Sequence, residues 1–160
     1  MKFHFTPSWR GYLYIIAPGE RGGRGAFLTA PPNPAWGVNG NLLEAGTDYS
    51  FPPQRDKWIE VARCASIRTY TIIFAPERLV QPRFLTEAAG RDLTAAEEGQ
   101  LDELQKRFWK GMRVEARDAQ SIIAIPGAIP GAIPGGGGSG EPFLLDINLS
   151  FGANKKGGQR

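Results

Sequence analysis

The stretch YLYII at residues 12–16 carries an aromatic or aliphatic side chain at every position. Because successive side chains of a strand point to opposite faces, Leu13 and Ile15 share one face while Tyr12 and Tyr14 share the other. A strand that is apolar on both faces is typical of a central strand that is covered on each side. This stretch therefore predicts a sheet with packed elements above and below it.

A second apolar stretch, RTYTIIFA at residues 68–75, is rich in the β-branched and aromatic side chains that strands favour. Further short strands are predicted at 3–5, 26–30 and 58–63, and turns rich in proline and glycine separate them. Many short strands between such turns are typical of antiparallel sheets. We therefore expect a mainly β fold, an antiparallel β-sandwich-like domain with one amphipathic helix packed on it.

The helix is predicted at residues 95–110, where the apolar period changes from two to about 3.6 residues. Thr94 is a suitable N-cap, and Glu97 three residues later completes a capping box. Asp102 and Lys106 have the i, i+4 spacing of a stabilising ion pair. One apolar stripe is formed by Leu101, Leu104 and Phe108. These features predict a helix that turns a single face toward the sheet.

A low-complexity loop, AIPGAIPGAIPGGGGSGE, occupies residues 124–141. A helix is excluded there because a proline at every fourth position removes amide donors and restricts φ. The next residues alternate between apolar and polar, which predicts a last strand at 143–151 with one face toward water. We interpret the loop as a passive tether that lets this strand rejoin the sheet. A single β-rich domain is thus predicted at 1–151, and 152–160 is predicted to be a disordered tail.

Length and composition are those of one ordinary globular domain. The chain has 160 residues, of which 41% are hydrophobic and 22% charged, and its net charge is +3. No apolar run is long enough to form a transmembrane segment. The first residues alternate like a strand and predict no signal segment in this chain, a start that we would expect of an excised domain.

Several of these stretches together resemble a bacterial domain of unknown function, the family numbered 4384, over roughly residues 3–105. The resemblance rests mainly on the aromatic strand GYLYI at 11–15 and on TIIFAPERL at 71–79. It implies a β-rich domain found in extracytoplasmic or multidomain bacterial proteins, sometimes beside caspase-like peptidase or kinase domains. Since no catalytic residues are established for that family, it implies none here. The chain departs from the family in FLTAPP at 27–32 and in lacking the strand that usually precedes the first one.

Residues suited to catalysis or metal binding are scarce. Cys64 and His4 are the only cysteine and histidine, too few for a zinc site, and neither stands in a known catalytic signature. The glycines of GERGGRG do not have the spacing of a phosphate-binding loop and are typical of a turn, although Arg21 and Arg24 offer positive charge to an anion. We predict that the chain is not an enzyme, with no catalytic, metal or cofactor-binding residues, no cofactor and no nucleic-acid partner.

The function expected is that of a non-catalytic binding or scaffolding module of a bacterial, extracytoplasmic (periplasmic or secreted) protein or assembly. An open-ended first strand is a template for a partner strand, so we expect a protein partner or self-association through that edge. The interaction candidates are the two aromatic residues of the first strand and the three isoleucines of the repeat, Phe3, Phe5, Ile125, Ile129 and Ile133.

An alternative function is a carbohydrate-binding, peptide-binding or enzymatic domain. It would use the irregular segment at residues 33–57 and the tryptophans, although scattered tryptophans are more often core and rim residues because their large apolar area favours burial. The four tryptophans are Trp9, Trp36, Trp58 and Trp109. A deep pocket with convergent polar groups would favour this alternative over edge pairing.

Overall fold

The fold is described by a computed structural model. The description covers residues 2–19, 23–28, 40–56, 58–59, 68–87, 90–116 and 141–149, with side chains except at 26–28 and 109–116. Within these ranges the elements are, in chain order, β1 (Phe3–Phe5), β2 (Gly11–Pro18), β3 (Arg24–Leu28), β4 (Leu42–Leu43), β5 (Tyr49–Phe51), β6 (Arg68–Ala75), a 3-10 helix (Arg83–Thr86), β7 (Arg91–Asp92), α1 (Ala95–Phe108), β8 (Trp109–Ala116) and β9 (Phe143–Leu149).

The strands form two sheets. The larger has the order β7-β3-β2-β6-β9-β8, with β4 also paired to β2, and the smaller consists of β1 and β5. Described neighbours run antiparallel, except that β8 and β9 are parallel. The predicted mainly β fold with a single helix is thereby confirmed.

Strand β2 is central, as its sequence predicts. It pairs with β6 on one side and with β3 and β4 on the other. Leu13 is 2% exposed, Tyr14 and Ile15 are fully buried, and Ile16 is 1% exposed. Both faces of the strand are therefore covered.

Each face of the large sheet has its own hydrophobic core. Leu13 and Ile15 pack in a cluster with Phe3, Phe5 and other side chains, which also includes Phe51 of the small sheet. On the opposite face, apolar side chains of β2 pack with Leu101 and Phe108 of the helix. The small sheet and the helix therefore lie on opposite faces of the large sheet.

Helix α1 begins as predicted. The backbone N of Thr94 donates to Oε2 of Glu97 at 2.8 Å, and the backbone N of Glu97 donates to Oγ1 of Thr94 at 3.4 Å, which confirms the capping box. The helix ends at Phe108 rather than at residue 110, because the chain passes directly into β8. This strand was not predicted from the polar sequence after the helix.

Polar groups connect the helix to the sheet. Nη2 of Arg24 in β3 lies 2.6 Å from Oδ1 of Asp102, and Nε of Arg24 lies 2.5 Å from Oε2 of Glu98. Lys106 pairs instead with Glu103 at 2.6 Å. The predicted ion pair between Asp102 and Lys106 is therefore replaced by an i, i+3 pair within the helix and by a contact from Asp102 to a distant strand, which a helical spacing rule cannot include.

Strand β9 is described from Phe143 to Leu149, and residues 150–151 of the strand predicted at 143–151 lie outside the described residues. Its apolar residues Leu145, Ile147 and Leu149 are buried, whereas the polar residues Asp146 and Asn148 are partly exposed. Oδ1 of Asp146 accepts hydrogen bonds from Nε2 of Gln105 at 3.0 Å and from Oγ1 of Thr71 at 2.8 Å. Asp146 is thus joined both to the helix and to β6 while it stays partly exposed.

The first strand is not an open surface on its aromatic side. Phe3 and Phe5 are each 1% exposed, and the ring of Phe3 packs edge-on to Tyr70 with centroids 5.1 Å apart. The alternation of FHF puts both rings on one face of β1, and that face packs on the large sheet. One edge of β1 is paired with β5. The side chains of Phe3 and Phe5 are therefore core residues. Pairing of a partner strand with this strand stays a prediction.

Several sequence predictions fall outside the described residues. They concern Ile125, Ile129 and Ile133 of the repeat, residues 60–63 of the strand predicted at 58–63, and the tail at 152–160. The described strands set a requirement for the segment between β8 and β9. Because these two strands are parallel neighbours, the 26 residues that join Ala116 to Phe143 have to return the chain to the end of the sheet where β8 begins.

Candidate binding cleft

Three segments of the chain meet at one end of the large sheet. Tyr12, near the start of β2, pairs with Ala75 at the end of β6 and, on its other side, with Leu42 of β4. Because β2 and β6 are antiparallel, the residue before β2 and the residues after β6 leave the sheet at the same place. This end of the sheet therefore collects side chains from distant parts of the sequence.

Gly11 allows β2 and β6 to approach closely here. A Cβ atom at Gly11 would lie 2.7 Å from the carbonyl oxygen of Ala75 and 2.7 Å from Cζ of Phe74. Both distances are below any normal contact, so only glycine fits without a shift of the backbone or the aromatic ring.

A cleft of about 280 Å³ opens to solvent at this end of the sheet. It combines apolar side chains from three segments with two positive charges and one negative charge. The lining residues are Arg10, Tyr12, Leu42, Pro76, Glu77 and Arg78. Half of the lining residues are charged, which is more than in the predominantly apolar pockets that bind small molecules.

The segment after β6 is held against the sheet below the cleft. The backbone N of Leu79 donates a hydrogen bond to the hydroxyl of Tyr14 at 2.9 Å. Burial raises the pKa of this hydroxyl, against the opposing effects of the Leu79 amide, the Asn41 side chain and the charge of Arg78. The hydroxyl therefore stays protonated at neutral pH and anchors the residue that follows Arg78.

One of the lining arginines is engaged in an ion pair. Nε of Arg10 lies 3.1 Å from Oε1 of Glu44, and the two side chains are 65% and 58% exposed. Exposed ion pairs of this kind contribute little to stability.

The residues predicted as interaction sites do not line this cleft. Phe3 and Phe5 lie in the core, and the isoleucines of the repeat lie outside the described residues. Leu42, however, belongs to the segment 33–57 named in the alternative prediction. One residue of the segment named in the alternative prediction therefore lines the cleft.

The described tryptophans are placed apart from the cleft lining. Trp9 is partly buried and packs on Phe74, with ring centroids 5.5 Å apart. Trp58 is 58% exposed, and Nζ of Lys2 lies 5.1 Å from the centre of its ring. Trp36 and the side chain of Trp109 are outside the described part of the chain.

Other candidate groups are engaged elsewhere. His4 is half-buried, with Nδ1 3.5 Å from Oδ2 of Asp48, whereas Cys64 lies outside the described residues. Arg24 of the glycine-rich turn is occupied by Glu98 and Asp102 on the helix. In the described ranges, His, Cys, Asp and Glu side chains form no group of three that could hold a metal ion.

The cleft was not predicted as a site, although its parts were visible in the sequence. Tyr12 belongs to GYLYI, and Pro76, Glu77 and Arg78 belong to TIIFAPERL. These are the two stretches on which the family resemblance mainly rests. Pairing the predicted strands as antiparallel neighbours would have brought the start of one beside the end of the other. Neither Arg10 nor Leu42 carries a comparable signal.

Comparisons of this chain with protein-family models, with curated proteins and with solved structures found no match. The resemblance to the family numbered 4384 therefore stays a prediction. Across the residues that the structure describes, no helix has the length and apolar character needed to span a membrane.

Proposed function

We propose that this chain is a non-catalytic binding module of a bacterial, extracytoplasmic protein or assembly, and that it binds a protein partner at the cleft. The observation that carries the proposal is the meeting of Tyr12, Leu42 and Pro76 with two arginines in one solvent-open depression. The extracytoplasmic setting rests on the family resemblance alone.

The size of the cleft favours a peptide segment. Its volume of about 280 Å³ lies just below the range of roughly 300–1,000 Å³ that is usual for small-molecule and cofactor sites. A depression of this size accommodates one or two side chains, and a partner protein supplies the rest of the contact from outside it.

The walls of the cleft are preorganised. Tyr12 is held by β-pairing on both sides, and the segment after β6 is fixed by the hydrogen bond between Leu79 and Tyr14. A site whose backbone is already ordered loses less conformational entropy when a ligand binds. The ordered backbone around the cleft supports the proposal that a partner protein binds to a rigid surface at this end of the sheet.

Selection from a random peptide display library tests the proposal. We expect enriched peptides that bind the wild-type chain and bind the Leu42→Ala variant about ten-fold more weakly, because Leu42 supplies apolar surface in the cleft. Arg83→Ala is the matched control, since Arg83 is 85% exposed and does not line the cleft. Failure to enrich peptides, or peptides that bind wild type and Leu42→Ala equally, would contradict the proposal.

Self-association through an edge strand is a second candidate, and β8 is the observation that favours it. This strand is eight residues long and, in the part of the chain that is described, pairs only with β9. A long strand with one unpaired edge is a template for a second strand. Size-exclusion chromatography with light scattering tests this candidate: a discrete dimer supports edge pairing, and a monomer at every concentration argues against it.

A further inference from the structure

We propose that the edge of β8 that faces away from β9 pairs antiparallel with β8 of a second copy of this chain. The register of this pair centres on Val114 and sets Arg113 of each chain opposite Glu115 of the other. The inference rests on the second candidate function, self-association through an edge strand, and it specifies the partner, the register and the charges that select it. The binding cleft takes no part in it.

Strand β8 ends the large sheet on one side. Its described pairing is with β9 alone, and the pairing is consecutive from Arg113 to Ala116, whereas the register shifts between Trp109 and Arg113. Irregular pairing at the edge of a sheet hinders the addition of a further strand. The part of β8 that is suited to a second strand is therefore the part after this shift.

This part of β8 alternates between apolar and charged residues. Met112, Val114 and Ala116 are apolar, and Arg113 and Glu115 carry opposite charges. Opposite charges that face each other across an antiparallel pair stabilise it, and like charges destabilise it. The stretch therefore carries both signs that a strand needs in order to recognise a copy of itself.

The charges select one register. A symmetric antiparallel pair is centred on one residue that faces its own copy, because side chains alternate between the two faces of each strand. Centred on Arg113 or on Glu115, the pair sets like charges against each other. Centred on Val114, it sets Arg113 opposite Glu115 on both sides of the two-fold axis. A pair centred on Ala116 would need residues beyond the end of β8.

The apolar positions of β8 lie beside the core. Val114 pairs with Ile147 of β9 and Ala116 pairs with Leu149, and both partners belong to the core cluster on one face of the large sheet. Residues that are paired side by side share a face of the sheet. A second β8 centred on Val114 therefore continues this apolar row into the other chain.

Pairing at this edge gives a closed dimer. The two-fold axis occupies the β8 edge of both copies, and the opposite edge of the large sheet is β7, which is only two residues long. So short a strand offers few backbone groups to another copy. We therefore expect a dimer rather than an extending fibre.

Disulfide formation in solution tests the register. On a Cys64→Ser background, Val114→Cys places the new thiol opposite its own copy, where directly opposed Cβ atoms lie about 4.5–5.5 Å apart. Met112→Cys is the matched control, because in the same register Met112 faces Ala116 rather than its own copy. We expect mild oxidation to convert Val114→Cys into a covalent dimer at least about ten-fold faster than Met112→Cys.

Charge exchange tests the selection by Arg113 and Glu115. Arg113→Glu and Glu115→Arg should each weaken the dimer about ten-fold in analytical ultracentrifugation, because like charges then face each other. An equimolar mixture of the two variants should dimerise as wild type does, since opposite charges face each other again. An effect within one chain, such as that of Asp146 beside Arg113, is not relieved by mixing. Arg83→Glu is the control, since Arg83 lies outside β8 and is 85% exposed.

A wild-type chain that is monomeric at every concentration overturns this inference together with the second candidate function. A dimer that cross-links through Met112→Cys as fast as through Val114→Cys, or that tolerates both charge reversals, retains edge self-association and refutes this register. A mixture that dimerises no better than the single variants also refutes it. If circular dichroism shows that a reversal variant is unfolded, the two cysteine variants decide the question. Binding at the cleft is tested separately, by the display selection with Leu42→Ala.

Discussion

Oε1 of Glu97 accepts a hydrogen bond from Nη2 of Arg91 at 2.6 Å, so the first turn of helix α1 is joined to strand β7. The same carboxylate closes the capping box by accepting the backbone N–H of Thr94. The bond from Arg91 is the main reason that the pKa of Glu97 is lowered to about 2 from its ordinary value of 4.5. One carboxylate therefore holds both the helix start and the edge of the sheet.

This relationship predicts acid sensitivity. Because the pKa of Glu97 is lower in the folded than in the unfolded chain, its contribution is complete above pH 4.5 and is lost as the pH falls toward 2. We expect wild type to lose about 1–2 kcal/mol more unfolding free energy over this interval than Glu97→Gln, a value discounted for the partial exposure of Arg91. Urea denaturation at several pH values measures the difference. Glu103→Gln, at an exposed position of the same helix, should keep the wild-type pH dependence, and an identical pH dependence for Glu97→Gln would refute the prediction.

A methyl group at Gly11 should destabilise the fold. Gly11→Ala places a Cβ atom against Ala75 and the ring of Phe74, and we expect a loss of about 1–3 kcal/mol in unfolding free energy. Gly99→Ala is the matched control because Gly99 lies in helix α1 with open space around its Cα atom. That variant should gain about 0.5–1 kcal/mol from helix propensity. Thermal or denaturant unfolding compares the two, and equal stabilities would show that β2 and β6 are not closely packed at Gly11.

Because Gln105 joins the helix to β9, its replacement by alanine should lower the free energy of unfolding. Gln105→Ala removes the donor that lies 3.0 Å from Asp146, and it also removes the acceptor of a bond from Arg24. We expect a loss of about 1–3 kcal/mol, because half-buried polar groups are left with fewer partners. Lys106→Ala, at a neighbouring exposed position, should change the stability by less than about 0.5 kcal/mol. Similar denaturation midpoints for both variants would mean that solvent replaces the lost bonds.

The AIPG repeat should tolerate shortening. Deletion of residues 127–134 leaves 18 of the 26 residues between Ala116 and Phe143, still more than the dozen that a parallel crossover needs. Loop-closure entropy predicts a gain of only about 0.3 kcal/mol. Chemical denaturation and light scattering provide the measurement. A loss above about 1 kcal/mol or a changed oligomeric state would instead assign a contact role to Ile129 and Ile133.

Local pattern predicted the features that depend on local chemistry. The two-faced strand β2 follows from alternation alone, and the helix start follows from the spacing of Thr94 and Glu97. Both are decided within a few residues of sequence. That Phe3 and Phe5 share one face of their strand also follows from alternation, but it could not be foreseen that this face packs on the large sheet.

The rest depended on contacts between distant segments. Asp102 pairs with Arg24 rather than with Lys106, and strand β8 forms beside a strand that is reached only after the repeat. The cleft requires the registers of β2 with both β4 and β6, which bring Arg10, Leu42 and Arg78 together. Strand registers and long-range ion pairs leave no repeating pattern in the sequence, so they could not be predicted from it.

The position of β9 between β6 and β8 has a consequence for the order of folding. Both of its neighbours precede it in the sequence, so a nascent chain that has not yet reached residue 143 has two strands whose common partner is still missing. Pairings between distant segments form slowly, and unpaired strand edges expose a growing chain to aggregation. We therefore expect the sheet to close late, by insertion of β9 between two strands that precede it rather than by addition of a strand at the edge.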